Sequence, residues 1–331
     1  MSERTLSRLL GVLGVLVVVW LISSQLSGGG GAGGVSDGGV ASLLEGLNET
    51  TVRAVRIAHP NRTASLEPGA LETVTPETVT PETAQRETVM LEANGGAWTV
   101  NGHAADSLSV TRLWSALDGA VVGGVVVNNP RNHERMGVSA DSAWVVDFTL
   151  TDGGIVSLLV GKIGPIAPSG YVRLPDQDAV VVVSGDLRPT VIRSLTDWRD
   201  KTIVRVDTAS VVRVVLETDA GTHVAERSDS TWSVDGEPAD ATRMRSLLDE
   251  LANFVAVGFL EDEEVSLEDE KRVTALGANG DTLGTVLLTG EAGTRHARTP
   301  GSDVVFEVPS FRADRITPDM ESLRAVDPAG A

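Results

Sequence analysis

A block of residues near position 98 recurs near position 232, and this repetition narrows the possible folds more than any other feature. Trp98-Thr-Val-Asn-Gly102 and Trp232-Ser-Val-Asp-Gly236 stand 134 residues apart. The same spacing relates Asp106 to Asp240, Leu113 to Leu247 and Leu117 to Leu251. A second block repeats at a spacing of 125: Tyr171-Val-Arg-Leu-Pro175 matches His296-Ala-Arg-Thr-Pro300, Val180 and Val183 match Val305 and Val308, and Trp198-Arg199 falls on Leu323-Arg324. Two blocks recurring in one order indicate a duplicated unit, with unit 1 over residues 52–205 and unit 2 over 206–331.

Each unit reads as α+β. Val52–Ile57 and Val211–Leu216 are β-rich, and Thr88–Glu92 and Thr222–Arg227 supply second strands. Trp-x-Val followed by Asn-Gly or Asp-Gly is a strand entering a tight turn, because both pairs tolerate positive φ. Asp106 and Asp240 stand where a helix N-cap belongs. Behind them, Val110, Leu113, Trp114, Leu117 and Val121, and then Met244, Leu247, Leu248, Leu251 and Val255, form apolar stripes at helical spacing. Trp144–Leu150 and Ile155–Val160 flank Thr151-Asp-Gly-Gly154 as a hairpin, Tyr171–Leu174 and Val180–Val183 make another strand pair, and Asp186–Leu195 predicts a short helix. The expected fold is mostly antiparallel sheet with packed helices, in two tandem related units. Unit 1 carries an insertion at about 59–87, whose VTPETVTPET run has too little apolar content to pack.

Ahead of the units, Leu9–Ile22 holds no charged or polar side chain, and adding the uncharged Ser23, Ser24, Gln25 and Leu26 gives 18 residues. Eighteen helical residues span about 27 Å, close to the ~30 Å of a bilayer core. Arg4 and Arg8 precede the run and no basic residue follows until Arg53, which keeps residues 1–8 cytoplasmic and the bulk outside. A transmembrane anchor over 9–26 is the favoured reading; a cleaved signal peptide is the rival. The glycine-rich stretch that follows predicts a flexible linker over 27–51.

With 27 Lys+Arg against 46 Asp+Glu, the chain is a poor nucleic-acid binder. Zero Cys excludes disulfides, thiolate metal sites and a Cys nucleophile. Residues 206–331 hold 25 acidic and 11 basic residues, against 17 and 14 in 52–205. Glu261, Asp262, Glu263, Glu264, Glu268, Asp269 and Glu270 read first as a solvated loop, and second as a docking surface for a basic partner or a weak divalent-cation site.

The Trp-x-Val-Asn-Gly…Ala105-Asp106…helix block resembles a family of bacterial and archaeal envelope proteins, domain of unknown function 4340. Glu134-Arg-Met-Gly-Val138, Leu159-Val-Gly-Lys162, Tyr171-Val-Arg173 and Trp198-Arg-Asp-Lys201 carry the same resemblance, as does the N-terminal anchor. It covers most of 88–205, with a weaker second copy to about 326. It implies an accessory role at the membrane beside ABC-type transport and gliding-motility components, and it supplies no catalytic residue.

No sequence motif points to chemistry. His133-Glu134 lacks the second His of a zinc helix, no G-x-S-x-G elbow occurs, and Val160-Gly-Lys-Ile163 is no P-loop. His103 and His223 read as turn or surface residues, and Trp98, Trp114 and Trp232 as core. Trp98, Gly102, Asp106, Trp232, Gly236 and Asp240 are therefore expected to be structural repeat positions. The expectation is a non-enzymatic, single-pass envelope protein with no cofactor or metal, acting as accessory or scaffold in an ABC-type transport complex. The alternative is an extracytoplasmic module binding glycan or peptide in a cleft between the units.

Overall fold

Val40, Leu44 and Leu47 form an apolar stripe spaced four and three residues apart. The structure, a computed structural model, describes residues 39–59, 88–218, 221–260, 270–290 and 293–325. Val40–Gly46 forms helix α1, and Val40, Leu44 and Leu47 enter a hydrophobic core. This corrects the expected linker over 40–51: past the Gly-rich stretch, which ends at Gly39, an i, i+4, i+7 stripe buries apolar surface. The expected anchor over 9–26 and the rest of the tether, residues 27–38, lie outside the described residues. Among the described residues, no helix is long and apolar enough to cross a membrane.

Nine strands make the first sheet. β1 (Val52–Ala58), β2 (Val89–Asn94), β3 (Ala97–Val100) and β4 (His103–Ala104) run outward as consecutive antiparallel neighbours. The insertion, residues 60–87, falls between β1 and β2 and outside the described residues. α2 (Ser107–Asp118) then carries the chain to the opposite edge, where β5 (Val121–Val127) lies. A one-turn helix α3 (His133–Met136) leads to β6 (Trp144–Leu150), which pairs with β1. β7 (Ile155–Ile163), β8 (Ser169–Arg173) and β9 (Val180–Ser184) fill the sheet up to β5, giving the order β4-β3-β2-β1-β6-β7-β8-β9-β5. Short helices α4 (Leu187–Val191) and α5 (Leu195–Trp198) follow.

After β10 (Thr202–Val204) the same path is traced again. β11 (Arg213–Thr218), β12 (Gly221–Ser228), β13 (Thr231–Val234) and β14 (Glu237–Pro238) run outward, and α6 (Ala241–Ala252) crosses back. β15 (Phe254–Val255) pairs with β10, and β16 (Gly258–Leu260) takes the far edge. β17 (Lys271–Leu276), β18 (Thr282–Thr289), β19 (Thr294–Arg298) and β20 (Val305–Pro309) complete the order β14-β13-β12-β11-β17-β18-β19-β20-β16. α7 (Ser310–Ile316) and α8 (Met320–Leu323) follow. Strand for strand, the two sheets share one order, and all their ladders are antiparallel.

Each sheet buries one face under its crossing helix. The first core gathers Ile57, Leu91, Leu113, Phe148, Leu158 and Trp198; the second gathers Leu216, Met244, Leu247, Phe254, Ile316 and Leu323. Ile203 and Val206 already pack in the second core. Both predicted helix stripes run one residue too far. α2 stops at Gly119, so Val121 opens edge strand β5 with 67% of its surface exposed. α6 ends at Ala252, and Val255 is half-buried in β15. β-branched valines following a helix stop continue as strand, where their stiff χ1 costs less.

Candidate functional site

The six repeat positions converge on one corner of each unit. Asn101-Gly102 and Asp235-Gly236 are two-residue turns with φ of 47° and 83°, and of 50° and 87°, the combination a type I′ hairpin demands. The side chain at the first turn position reaches back to the neighbouring strand: Asn101 Oδ1 accepts from Met90 N at 2.7 Å, and Asp235 Oδ1 from Val224 N at 2.9 Å. Asp106 caps α2 by accepting from Leu108 N and Ser109 N; Asp240 caps α6 by accepting from Thr242 N and Arg243 N. Their own amides donate to Trp198 O and Leu323 O, at 2.8 Å in both units. These two acceptors are the positions matched by the 125-residue spacing, so the two sequence blocks meet at the cap.

These contacts are made twice and satisfy the chain's own backbone. Asp106→Ala and Asp240→Ala should each cost about 1 kcal/mol, the ordinary worth of an N-cap, read as a lower midpoint in urea unfolding. Trp98 is buried, donates its indole N–H to Glu49 Oε1 at 3.1 Å, and packs tilted on Trp114 at 5.4 Å between ring centroids. Trp232 is half-buried against the second core, with the Arg227 guanidinium 6.0 Å above its ring.

Other polar residues singled out above are also tied inward. Arg173 is buried and donates to Val138 O, Leu174 O, Pro175 O and Gln177 O, and burial pulls its guanidinium below the ordinary value. Arg298, its counterpart, grips Glu270 Oε2 through Nε at 3.0 Å and Nη2 at 2.7 Å. Glu270 is thus engaged internally; the other six carboxylates of that run lie outside the described residues. His223 Nδ1 meets Asp235 Oδ2 at 2.8 Å, and this hydrogen bond, with that from Val224 N, holds the Asp235 carboxyl below the usual range. His103 Nδ1 accepts from Arg199 Nη2 at 3.5 Å, while the Arg199 guanidinium lies 3.6 Å over the Phe259 ring. Among the described residues, no group of three His, Asp or Glu is placed to hold a metal ion.

One hollow in unit 1 is different. Gly137 and Gly161, from two of the motifs above, let α3's exit approach β7 closely; a Cβ on Gly161 would collide with Met136 O and Val138 Cγ1. That approach leaves a hollow of about 230 Å³ beside Lys162, Arg188, Trp144 and His59, with Glu134 also on its wall. Arg188 lies across Gly170 and donates Nε–H to Gly161 O at 2.8 Å. Lys162 Nζ donates to Arg135 O at 3.1 Å. His59 and Trp144 form an aromatic wall, their ring centroids 4.9 Å apart. Among the described residues neither Lys162 nor Arg188 makes an ion pair with a carboxylate. Desolvation alone pulls the Arg188 guanidinium below its ordinary value.

The residues of the hollow come from four separated segments, so only tertiary structure could assemble them. Gly137, Gly161 and Lys162 carried a sequence signal through their motifs; His59, Trp144 and Arg188 carried none. A family model, the domain of unknown function (DUF4340), matches residues 98–271. The chain belongs to that family. The match opens at Trp98 in β3 and closes at Lys271 in β17, so this domain of unknown function crosses from the first sheet into the second. It takes in the hollow's motifs and both helix caps. No curated protein and no solved structure matches the chain.

Proposed function

We propose that this chain is a membrane-anchored, extracytoplasmic and non-enzymatic protein, acting as an accessory or scaffold beside an ABC-type export or motility complex. The observation that carries the reading is the pair of sheets with one strand order, standing behind an apolar run flanked by Arg4 and Arg8. On this reading the chain is one unit used twice, and a duplicated unit on a single anchor offers two related surfaces to an assembly. The charges at the repeated positions support it, because Asp106, Asp240, Arg173 and Arg298 bind their own chain. Glu261, Asp262, Glu263, Glu264, Glu268 and Asp269 are the candidate docking surface in unit 2, Glu270 being engaged by Arg298.

Two measurements test this. A reporter fused after Gly39 should be active only when exported; activity of a cytoplasm-dependent reporter at that point overturns the topology. Affinity purification of the full chain from native membranes should retain a transporter component, and recovery of the chain alone overturns the accessory role.

A second reading, an extracytoplasmic module that binds glycan or peptide, is favoured by the hollow beside Lys162 and Arg188. That hollow belongs to unit 1 by itself and not to a cleft between the units.

A further inference from the structure

We infer that the hollow walled by Lys162, Arg188 and Trp144 is a binding site for a small organic carboxylate. The proposal deepens the ligand-binding reading by naming the ligand class. Its failure would leave the accessory role, which the reporter and the purification test separately.

Three observations support it. First, the guanidinium on the wall of the hollow is only partly spent. Arg188 spends Nε on Gly161 O, and its two Nη groups donate to no described residue. A guanidinium fixed by one edge presents its remaining N–H fork in a set orientation, the geometry that receives a carboxylate in two hydrogen bonds. The ammonium of Lys162, on the neighbouring position of β7, is anchored at Arg135 O and keeps two further donors. In a chain of net charge −19, two such cations without a carboxylate partner among the described residues mark a place kept for an outside anion.

Second, the fold does not require these residues. Trp144 pairs with Val160 in the first sheet, and Lys271 pairs with Leu288 in the second. Gly161 and Lys162 therefore correspond to Thr289 and Gly290. The pairing of Tyr171 with Val182, matched by His296 with Glu307, sets Gly170 against Arg295. Arg188 falls on Ala313 at the same 125-residue spacing. Unit 2 thus builds the same strand order without the cation pair or the two glycines that seat it. Lys162 and Arg188 are an addition peculiar to unit 1.

Third, size and charge choose the ligand. About 230 Å³ is several times the ~30 Å³ share of one water, enough for a small molecule or a single residue at a chain end. Two cations, Lys162 and Arg188, against one carboxylate, Glu134, leave an excess of one positive charge, which matches a singly charged carboxylate better than a doubly charged phosphate. The Trp144 and His59 rings offer an apolar wall for the carbon part of the ligand.

The test is 19F NMR on the purified full chain, with trifluoroacetate as the carboxylate probe and monofluorophosphate as the phosphate probe, in chloride-matched buffer. Trifluoroacetate should broaden on addition of protein and sharpen again with excess acetate. Arg188→Gln and Lys162→Gln should each weaken binding about tenfold or more, the loss of one charge-assisted contact. Lys162 is exposed, so its variant should keep the wild-type circular dichroism and melting curve even if Arg188→Gln does not fold. No broadening, stronger binding of monofluorophosphate, or binding undiminished in a folded Lys162→Gln variant would each overturn the proposal.

Discussion

Trp98→Ala should destabilise the first core by about 3–5 kcal/mol, whereas Trp232→Ala should cost the second core roughly half as much. The two tryptophans occupy the same place in the repeat but not the same environment. Trp98 is 9% exposed, lies on Trp114 and has its indole N–H bonded to Glu49. Removing it opens a cavity and strands a half of an aromatic pair. In unit 2 Leu248 stands at the position of Trp114 by the 134-residue spacing, and part of the Trp232 ring remains in solvent beneath Arg227. Its loss removes less buried area, and solvent reaches the gap. For a unit of this size, 3–5 kcal/mol corresponds to a melting shift of roughly 10 °C. Scanning calorimetry of the full chain should therefore show a large downward shift for Trp98→Ala and a smaller one for Trp232→Ala. Equal shifts would refute the difference in packing, and unchanged melting in both would refute the core assignment.

Glu250→Met should cost the second core about 3 kcal/mol, and a second replacement, Arg312→Met, should recover most of that loss. Glu250 is buried on α6 at 6% exposure, amid the stripe formed by Leu247 and Leu251. Arg312 of α7 donates to its Oε2 from Nε at 3.0 Å and from Nη2 at 2.7 Å, and Arg315 Nη1 reaches Oε1 at 3.4 Å. Arg312 also donates to Val255 O and Asn253 O, so the pair ties α6, α7 and β15 together. Removing one member of a buried pair leaves the other charge without its partner, which costs about 3–5 kcal/mol when both are fully buried. Arg312 keeps partial solvent access, which places the expectation at the lower end. Replacing both with Glu250→Met and Arg312→Met removes the stranded charge and is expected to be close to neutral. Urea unfolding of the two single variants and the double variant measures the coupling. Additive losses would show that the pair is not one unit.

Much of the architecture was legible because it depends on local rules. Asn101-Gly102 and Asp235-Gly236 require a tight turn by backbone sterics alone, and Asp106 and Asp240 announce a helix start by satisfying amides two and three residues on. Glu250 shows where local rules stop. On the helix wheel it is a polar residue beside a core stripe, and the sequence alone does not say that Arg312, 62 residues later, will neutralise it. The end of α2 shows the same limit. Val121 continues the apolar spacing of the helix, but past Gly119 a β-branched residue has a better place pairing with Ser184 on β9.

A repeated α+β unit with two turns, two caps and two apolar helix stripes is written in the chain locally, because each of these depends on residues within a few positions of one another. Short motifs also marked the family. Only the tertiary structure decided that the two spacings, 134 and 125, meet where Asp106 N finds Trp198 O and Asp240 N finds Leu323 O. The strand order that brings β1 beside β6, pairing Ile57 with Val146 across a sequence separation of 89, was likewise decided there. So was the seating of Arg188 over Gly161 and Gly170. The physical reason is that hydrogen-bond partners and counter-charges at long sequence separation are chosen by which apolar faces bury together, and no local pattern encodes that choice.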